Sequence, residues 1–291
     1  MDIKKVDKNM EDNTKVLSDN TTYIDLKGEY LRGLAFKNGF CRLDKGDFVS
    51  EQVQWLQKHP SGVNVTFKTN SRFIKIKALL DGISYMAHMT AVGQIGFDLY
   101  VRVNNKWVFL NTTKINQASY DLVLIDNLDN NIKEFRLYFP LYMGVNEAYL
   151  GIDNQASFTF IKEKQDRVVI YGTSISQGGC ATRPGMSYTN ILDRMLNYEF
   201  INLAFSGSAR LESEMIDILN RIDCKYLILE VEANNNKDSM VNILPNFISK
   251  LRAKNIILIS HFPWGKSLID KDLKLQLDFL RDFQSKIPNV T

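Results

Sequence analysis

Between residues 162 and 167 the chain changes its hydrophobic period, and that change limits what it can fold into. Before it, short alternating runs at 63–67, 73–77, 99–103, 107–110 and 135–139 are divided by Asn, Gly and Asp turns, with Asn104-Asn105 as a hairpin tip. Alternation with period two buries one face of a sheet. Many such runs predict a β-sandwich of jelly-roll type. After the change, apolar runs at 168–171, 200–204, 225–231 and 255–260 alternate with helical stretches at 187–197, 212–221, 240–253 and 268–286. That order predicts a parallel sheet covered by helices. The expected organisation is a polar lead-in over 1–22, a β-sandwich over 23–163 and an α/β unit over 164–291.

Bulk properties remove several functional classes. The 291 residues are 45% hydrophobic, which supports a real core, and the net charge of +3 is spread along the chain. Neither nucleic-acid nor membrane binding is expected from that balance. No apolar run reaches membrane-spanning length. Residues 1–20 have no signal-peptide core, so cytoplasmic is the expectation for the sequence as it stands. Cys41, Cys180 and Cys224 are odd in number and lack metal spacing, which reads as reduced thiols, with Cys180 a buried structural one. No metal or organic cofactor is expected, and the oligomeric state is open.

The chemistry-bearing stretch is 168–180. Val168-Val169-Ile170-Tyr171 breaks at Gly172, and Thr173-Ser174 follows at the start of a glycine-rich loop. A strand ending this way delivers a hydroxyl to the C-terminal edge of a sheet, where open α/β sheets place their chemistry. Ser174 is therefore a nucleophile candidate, against the plainer reading of a helix N-cap. Two further strand ends reach the same edge. Asn202-Leu203-Ala204-Phe205-Ser206 runs into Gly207, whose N–H could receive an oxyanion. Leu227-Ile228-Leu229-Glu230-Val231-Glu232 runs into Ala233-Asn234, whose amide could do the same. Ordinary loops would explain either alone. Gly178-Gly179 lacks the Gly-Lys-Ser/Thr of a phosphate loop. Trp55, Trp107, Tyr138 and Tyr142 form either a sugar-stacking face or sandwich core.

Taken together, these strand ends resemble the serine, glycine and asparagine blocks of the SGNH (GDSL-like) hydrolase family. Thr173 stands where the wider family usually has Asp. The longer run from Tyr171 to Tyr188 resembles one esterase branch, whose N-terminal domain carries Gly-x-Asp-Leu-Tyr; here that is Gly96-Phe97-Asp98-Leu99-Tyr100. The resemblance implies a flavodoxin-like α/β/α hydrolase unit behind the β-sandwich. It also implies a serine esterase acting on carboxylic esters, including acyl groups on carbohydrate. Ser174 would be the nucleophile, with its own N–H, Gly207 and Asn234 as the oxyanion hole.

The family's Asp-x-x-His block is not found. The histidines are His59, His88 and His261, and none follows an aspartate by three positions. The hydrolase unit is accordingly expected to lack its C-terminal end. Three readings stay open: a fragment of an esterase; a hydrolase-like protein that has lost catalysis and serves as a carbohydrate- or ligand-binding module; or a substitute base, for which His261, at the end of the run 255–260, is the candidate.

Overall fold

The computed structural model describes residues 20–83, 85–114, 117–162, 165–260, 268–287 and 290–291. Two antiparallel sheets come first. One pairs β1 (Thr21–Asp25), β8 (Val145–Asp153), β3 (Ile74–Leu80) and β6 (Ser119–Ile125), in that order. The other runs β5 (Lys106–Thr112), β4 (Asp98–Val103), β7 (Lys133–Tyr138), β2 (Asn64–Thr69) and β9 (Phe158–Phe160). Their inner faces share one core: Ile74, Ile76 and Leu150 from the first sheet meet Val65, Phe67, Leu99, Phe135 and Leu137 from the second. Each such side chain, fully buried, contributes roughly 1.5–3 kcal/mol relative to exposure. Asn104 and Asn105 both adopt positive φ (48° and 61°), as the hairpin joining β4 to β5 requires.

The α/β part holds a parallel sheet in the order β11 (Glu199–Ala204), β10 (Arg167–Gly172), β12 (Tyr226–Glu230) and β13 (Ile256–Leu258). Its strands bury both faces, so they read as continuous apolar runs. Val169 and Tyr171 point to one core with α5 (Ser213–Asn220), while Val168 and Ile170 point to a smaller one with Leu192. Leu192 lies on α4 (Tyr188–Met195). Beyond β13, Val290 forms a parallel bridge to Ile256, and the Leu258 N–H donates to Thr291 O at 2.8 Å.

The structure corrects the sequence reading in several places. The stretch 240–253 is not one helix but α6 (Lys237–Asn242) and α7 (Leu244–Ser249), because Pro245 sits in the first turn of the second and offers no N–H to continue the first. Four strands (β1, β6, β8 and β9) lie outside the expected runs, and Thr21 and Thr22 of the polar lead-in already belong to β1. Two helices interrupt the β texture: α1 (Glu51–Leu56), capped by Ser50 Oγ accepting from Val53 N at 3.2 Å, and α2 (Ala91–Ile95), capped by Thr90. Val53 and Leu56 of α1 pack with Leu43 into the parallel-sheet core, not the sandwich core.

Candidate active site

In the parallel sheet Gly172 pairs with Ala204 on one side and Glu230 on the other, so three strands end level with each other. The turns leaving them are stitched together. Phe205 N donates to Gly172 O at 2.8 Å and Thr173 N to Glu230 O at 3.1 Å. Thr173, not Ser174, caps the short helix α3 (Ser174–Gln177), its Oγ1 accepting from Ile175 N at 3.3 Å. The N-cap reading of Ser174 is therefore set aside by its neighbour. Ser174 opens the helix half-buried, and its Oγ makes no hydrogen bond to another described residue. Gly178 ends the helix at φ +105°, where a Cβ would come within 2.9 Å of Leu141 Cδ1. Only glycine meets both demands.

The glycine and asparagine loops join this turn through side-chain amides. Gln177 Oε1 accepts from Ser206 N at 2.8 Å while its Nε2 donates to Leu141 O at 3.2 Å. Gln52, on α1, donates to Ser206 O at 2.8 Å. From the other side the Asn234 amide donates to Ser208 O. Gly207, at φ +69°, lies between these anchors. Ser174, Gly207 and Asn234 are thus brought into one hydrogen-bonded frame, each half-exposed. The Ser174 and Gly207 N–H groups make no hydrogen bond to other described residues. Tyr142 OH reaches over to donate to Ser174 O at 3.3 Å.

The histidines divide differently. His261 lies outside the described residues. The strand before it does run to this edge, with Ile259 N donating to Leu229 O at 2.9 Å. His88 is exposed on a loop of the β part. His59 is only 2% exposed, packed edge-on against Trp55 with ring centroids 4.4 Å apart. Burial, with the nearby cations Arg42 and Lys58, pushes its pKa from 6.5 down to about 3. The native state thus refuses a proton that the unfolded chain accepts below pH 6.5. His59 stabilisation is present above that pH and is lost as pH falls toward 3, at up to about 1.4 kcal/mol per unit. Urea midpoints at pH 7 and 4.5 should show a steeper loss for the native chain than for His59→Gln; equal slopes would refute this.

The Gly96–Tyr100 signature has a physical role beside this edge. Asp98, fully buried, accepts from Arg183 Nη1 and from Gly185 N, both at 2.8 Å. Arg183 also donates to Tyr100 OH at 2.6 Å. The signature therefore clamps the loop that follows the nucleophile helix. Burial raises the Asp98 pKa, opposed by its bonds to Thr112 and Arg183.

Two other expectations change. The four aromatics form no common face: Tyr138 is buried against Asp193, Trp107 stacks under Arg136, and of the four Tyr142 bonds the nucleophile turn while Trp55 lies on α1. Cys180 is exposed, at φ +62°, not a buried thiol. Gln52, Tyr142, Gln177 and Glu230 complete the frame; an isolated Gln or Tyr carries no periodicity that marks it. The described residues contain no group of three or more His, Cys, Asp or Glu able to hold a metal ion, and no helix long and apolar enough to cross a membrane.

Comparison with known proteins bears on both parts of the chain. Residues 165–286 match the GDSL-like Lipase/Acylhydrolase family, and residues 19–158 match the N-terminus of Esterase_SGNH_hydro-type. Among solved structures, a protein described as a GDSL-like lipase from Bacteroides ovatus ATCC 8483 is 29% identical, with a TM-score of 0.85 over 93% of this chain and 86% of its own. The salicylyl-acyltransferase SsfX3 from a tetracycline biosynthetic pathway is 16% identical, with a TM-score of 0.70 over 94% and 85%. A family two carbohydrate esterase from Clostridium thermocellum, in complex with cellohexaose, is 14% identical, with a TM-score of 0.52 over 79% and 81%. The comparison with curated proteins returned no match. The two family matches lie on either side of the change of period, and they say what the chain is: a member of the SGNH (GDSL-like) hydrolase family, of the branch with a Gly-x-Asp-Leu-Tyr β domain at its N-terminus.

Proposed function

We propose that this chain is a serine carboxylic-ester hydrolase acting through Ser174 on an acyl group carried by a carbohydrate. The observation that carries the reading is the pair of N–H groups, Ser174 and Gly207, without an acceptor among the described residues at the level ends of β10 and β11. They are donors placed to receive the carbonyl oxygen of an ester as negative charge develops on it. Asn234 adds a third: its amide nitrogen carries two hydrogens, and one is engaged with Ser208 O.

In this reading Ser174 Oγ attacks the ester carbonyl carbon, and the carbonyl oxygen becomes an oxyanion held by those donors. The tetrahedral adduct collapses, the C–O bond to the alcohol breaks, and the alcohol leaves with the proton taken from Ser174. Water then attacks the acyl-serine by the same path and frees the acid. A base must carry the proton in both halves. His261 is our candidate, because β13 ends three residues before it and Ile259, the next residue, still donates to Leu229 O along this edge.

Two features support a sugar-borne ester. A carbohydrate esterase of related fold is known with cellohexaose bound. Trp55 is 57% exposed on α1, three residues from the Gln52 that holds Ser206 O. An exposed indole at such a rim is a stacking surface for a pyranose ring.

Treatment with a fluorophosphonate followed by peptide mapping tests the reading. The adduct is expected on Ser174 and on no other serine. Absence of any adduct, combined with cello-oligosaccharide binding, would favour the binding-module reading instead.

A further inference from the structure

The turn that presents Ser174 rests on one buried oxygen. Glu230 is the last residue of β12, 3% exposed and in register with Gly172. Its Oε2 accepts from Thr173 N at 3.0 Å, from Thr173 Oγ1 at 2.8 Å and from Ser176 Oγ at 2.9 Å. Ser176 Oγ lies 2.5 Å from Tyr188 OH. A serine hydroxyl has one hydrogen, and Ser176 gives it to Glu230, so Tyr188 is the donor in that second bond. The residues on both sides of Ser174 are thereby tied to a single carboxylate from the neighbouring strand. Gly172 makes room for it: a Cβ there would stand 2.7 Å from Ser176 Oγ and 3.1 Å from Glu230 Oε2.

We propose that Glu230 is the positioning residue of the nucleophile turn, acting on Ser174 through Thr173 and Ser176 and not through the substrate. The three donors converge on one acceptor, so the turn has a single preferred geometry, which fixes the Ser174 N–H and Oγ relative to the Gly207 loop. Oriented donors and a fixed nucleophile are what acyl transfer needs, and small displacements are expensive.

The proposal rests on the esterase reading for its kinetic arm and is independent of it for its structural arm. Glu230→Gln preserves side-chain volume and can keep an amide oxygen at the three-donor position, but it removes the negative charge that strengthens and orients those bonds. It is expected to slow fluorophosphonate capture of Ser174 and kcat for a p-nitrophenyl ester by on the order of 10- to 100-fold. KM for the same ester should stay within about twofold. Deuterium uptake of a peptide covering 171–179 should rise. Ser176→Ala, which removes one donor and leaves two, should fall between Glu230→Gln and the native chain in each measurement. Native capture rates together with native uptake in Glu230→Gln would overturn the proposal. If the native chain itself shows no capture, the esterase reading fails, and uptake alone decides Glu230: unchanged protection overturns it, increased exchange sustains it.

Discussion

Ser174→Ala is expected to leave the fold intact while lowering turnover of a short-chain p-nitrophenyl ester by on the order of 10³-fold or more. The two halves of that expectation have different causes. Ser174 is half-exposed, and its Oγ has no hydrogen-bond partner among the described residues, so deleting it strands no buried group. Alanine also suits the first turn of a helix, and Thr173 keeps its cap. The melting temperature should therefore move by no more than about 2 °C. The loss of turnover follows because no other described hydroxyl occupies the first position of α3: the neighbouring Ser176 is buried and bonded to Glu230. Oxyanion donors persist in the variant, so a residual rate above background is expected. Parallel assays of the two proteins decide the matter, and equal turnover would remove Ser174 from the mechanism.

Asp193→Ala should have the largest effect on stability. Asp193 lies on α4, and its Oδ2 accepts from Arg136 Nη1 at 2.7 Å and from Tyr138 OH at 2.6 Å, both from β7 of the sandwich. Arg136 and Asp193 side chains are 3% and 2% exposed. Removing the carboxylate takes from the buried Arg136 guanidinium the charge that Asp193 supplies, while Thr66 Oγ1 and the Trp107 ring remain beside it. Breaking one side of such a pair costs about 3–5 kcal/mol, against a total stability of about 5–15 kcal/mol. A thermal melt should show a drop of roughly 10 °C. The control is the double variant Arg136→Met with Asp193→Leu, which removes both charges and should recover much of the loss. A single variant that melts within about 2 °C of the native chain would show that the pair is dispensable.

How much of this was legible beforehand depends on the range of the signal. Periodicity is local, so the strands at 64–69, 74–80 and 98–103 and the whole βαβα order could be read from neighbouring residues. The strands β1, β6, β8 and β9 were not: β9 spans three residues, β1 opens on two threonines, β8 breaks its alternation at Asn146-Glu147 and Gly151, and β6 ends in a continuous apolar run. Ser174, Gly207 and Asn234 could be marked because each follows an apolar strand directly. Gln52 could not: its partner, Ser206 O, is 154 positions away, and nothing around a surface glutamine announces that distance. The same holds for Asp98, which reads as one letter of a signature until Arg183 and Gly185 are seen bound to it. The split of 240–253 was in principle readable, since Pro245 stands inside it.

The stretch 42–56 sets an order on how the chain is made. Arg42, 1% exposed, donates to the carbonyls of Asn202 and Ala204 at 3.1 and 2.5 Å and to Leu56 O at 2.9 Å, stacking over Phe205 at 4.5 Å. Its contacts with β11 close a loop of about 160 residues, a span whose closure entropy must be met before either of them forms. As the ribosome delivers the chain N-terminus first, this arginine emerges long before the carbonyls that receive it. The segment must wait, with Leu43, Val53 and Leu56 unburied, until β11 exists to take them. Refolding should accordingly be slow for a protein of this size, and the waiting segment is where a chaperone would find its grip.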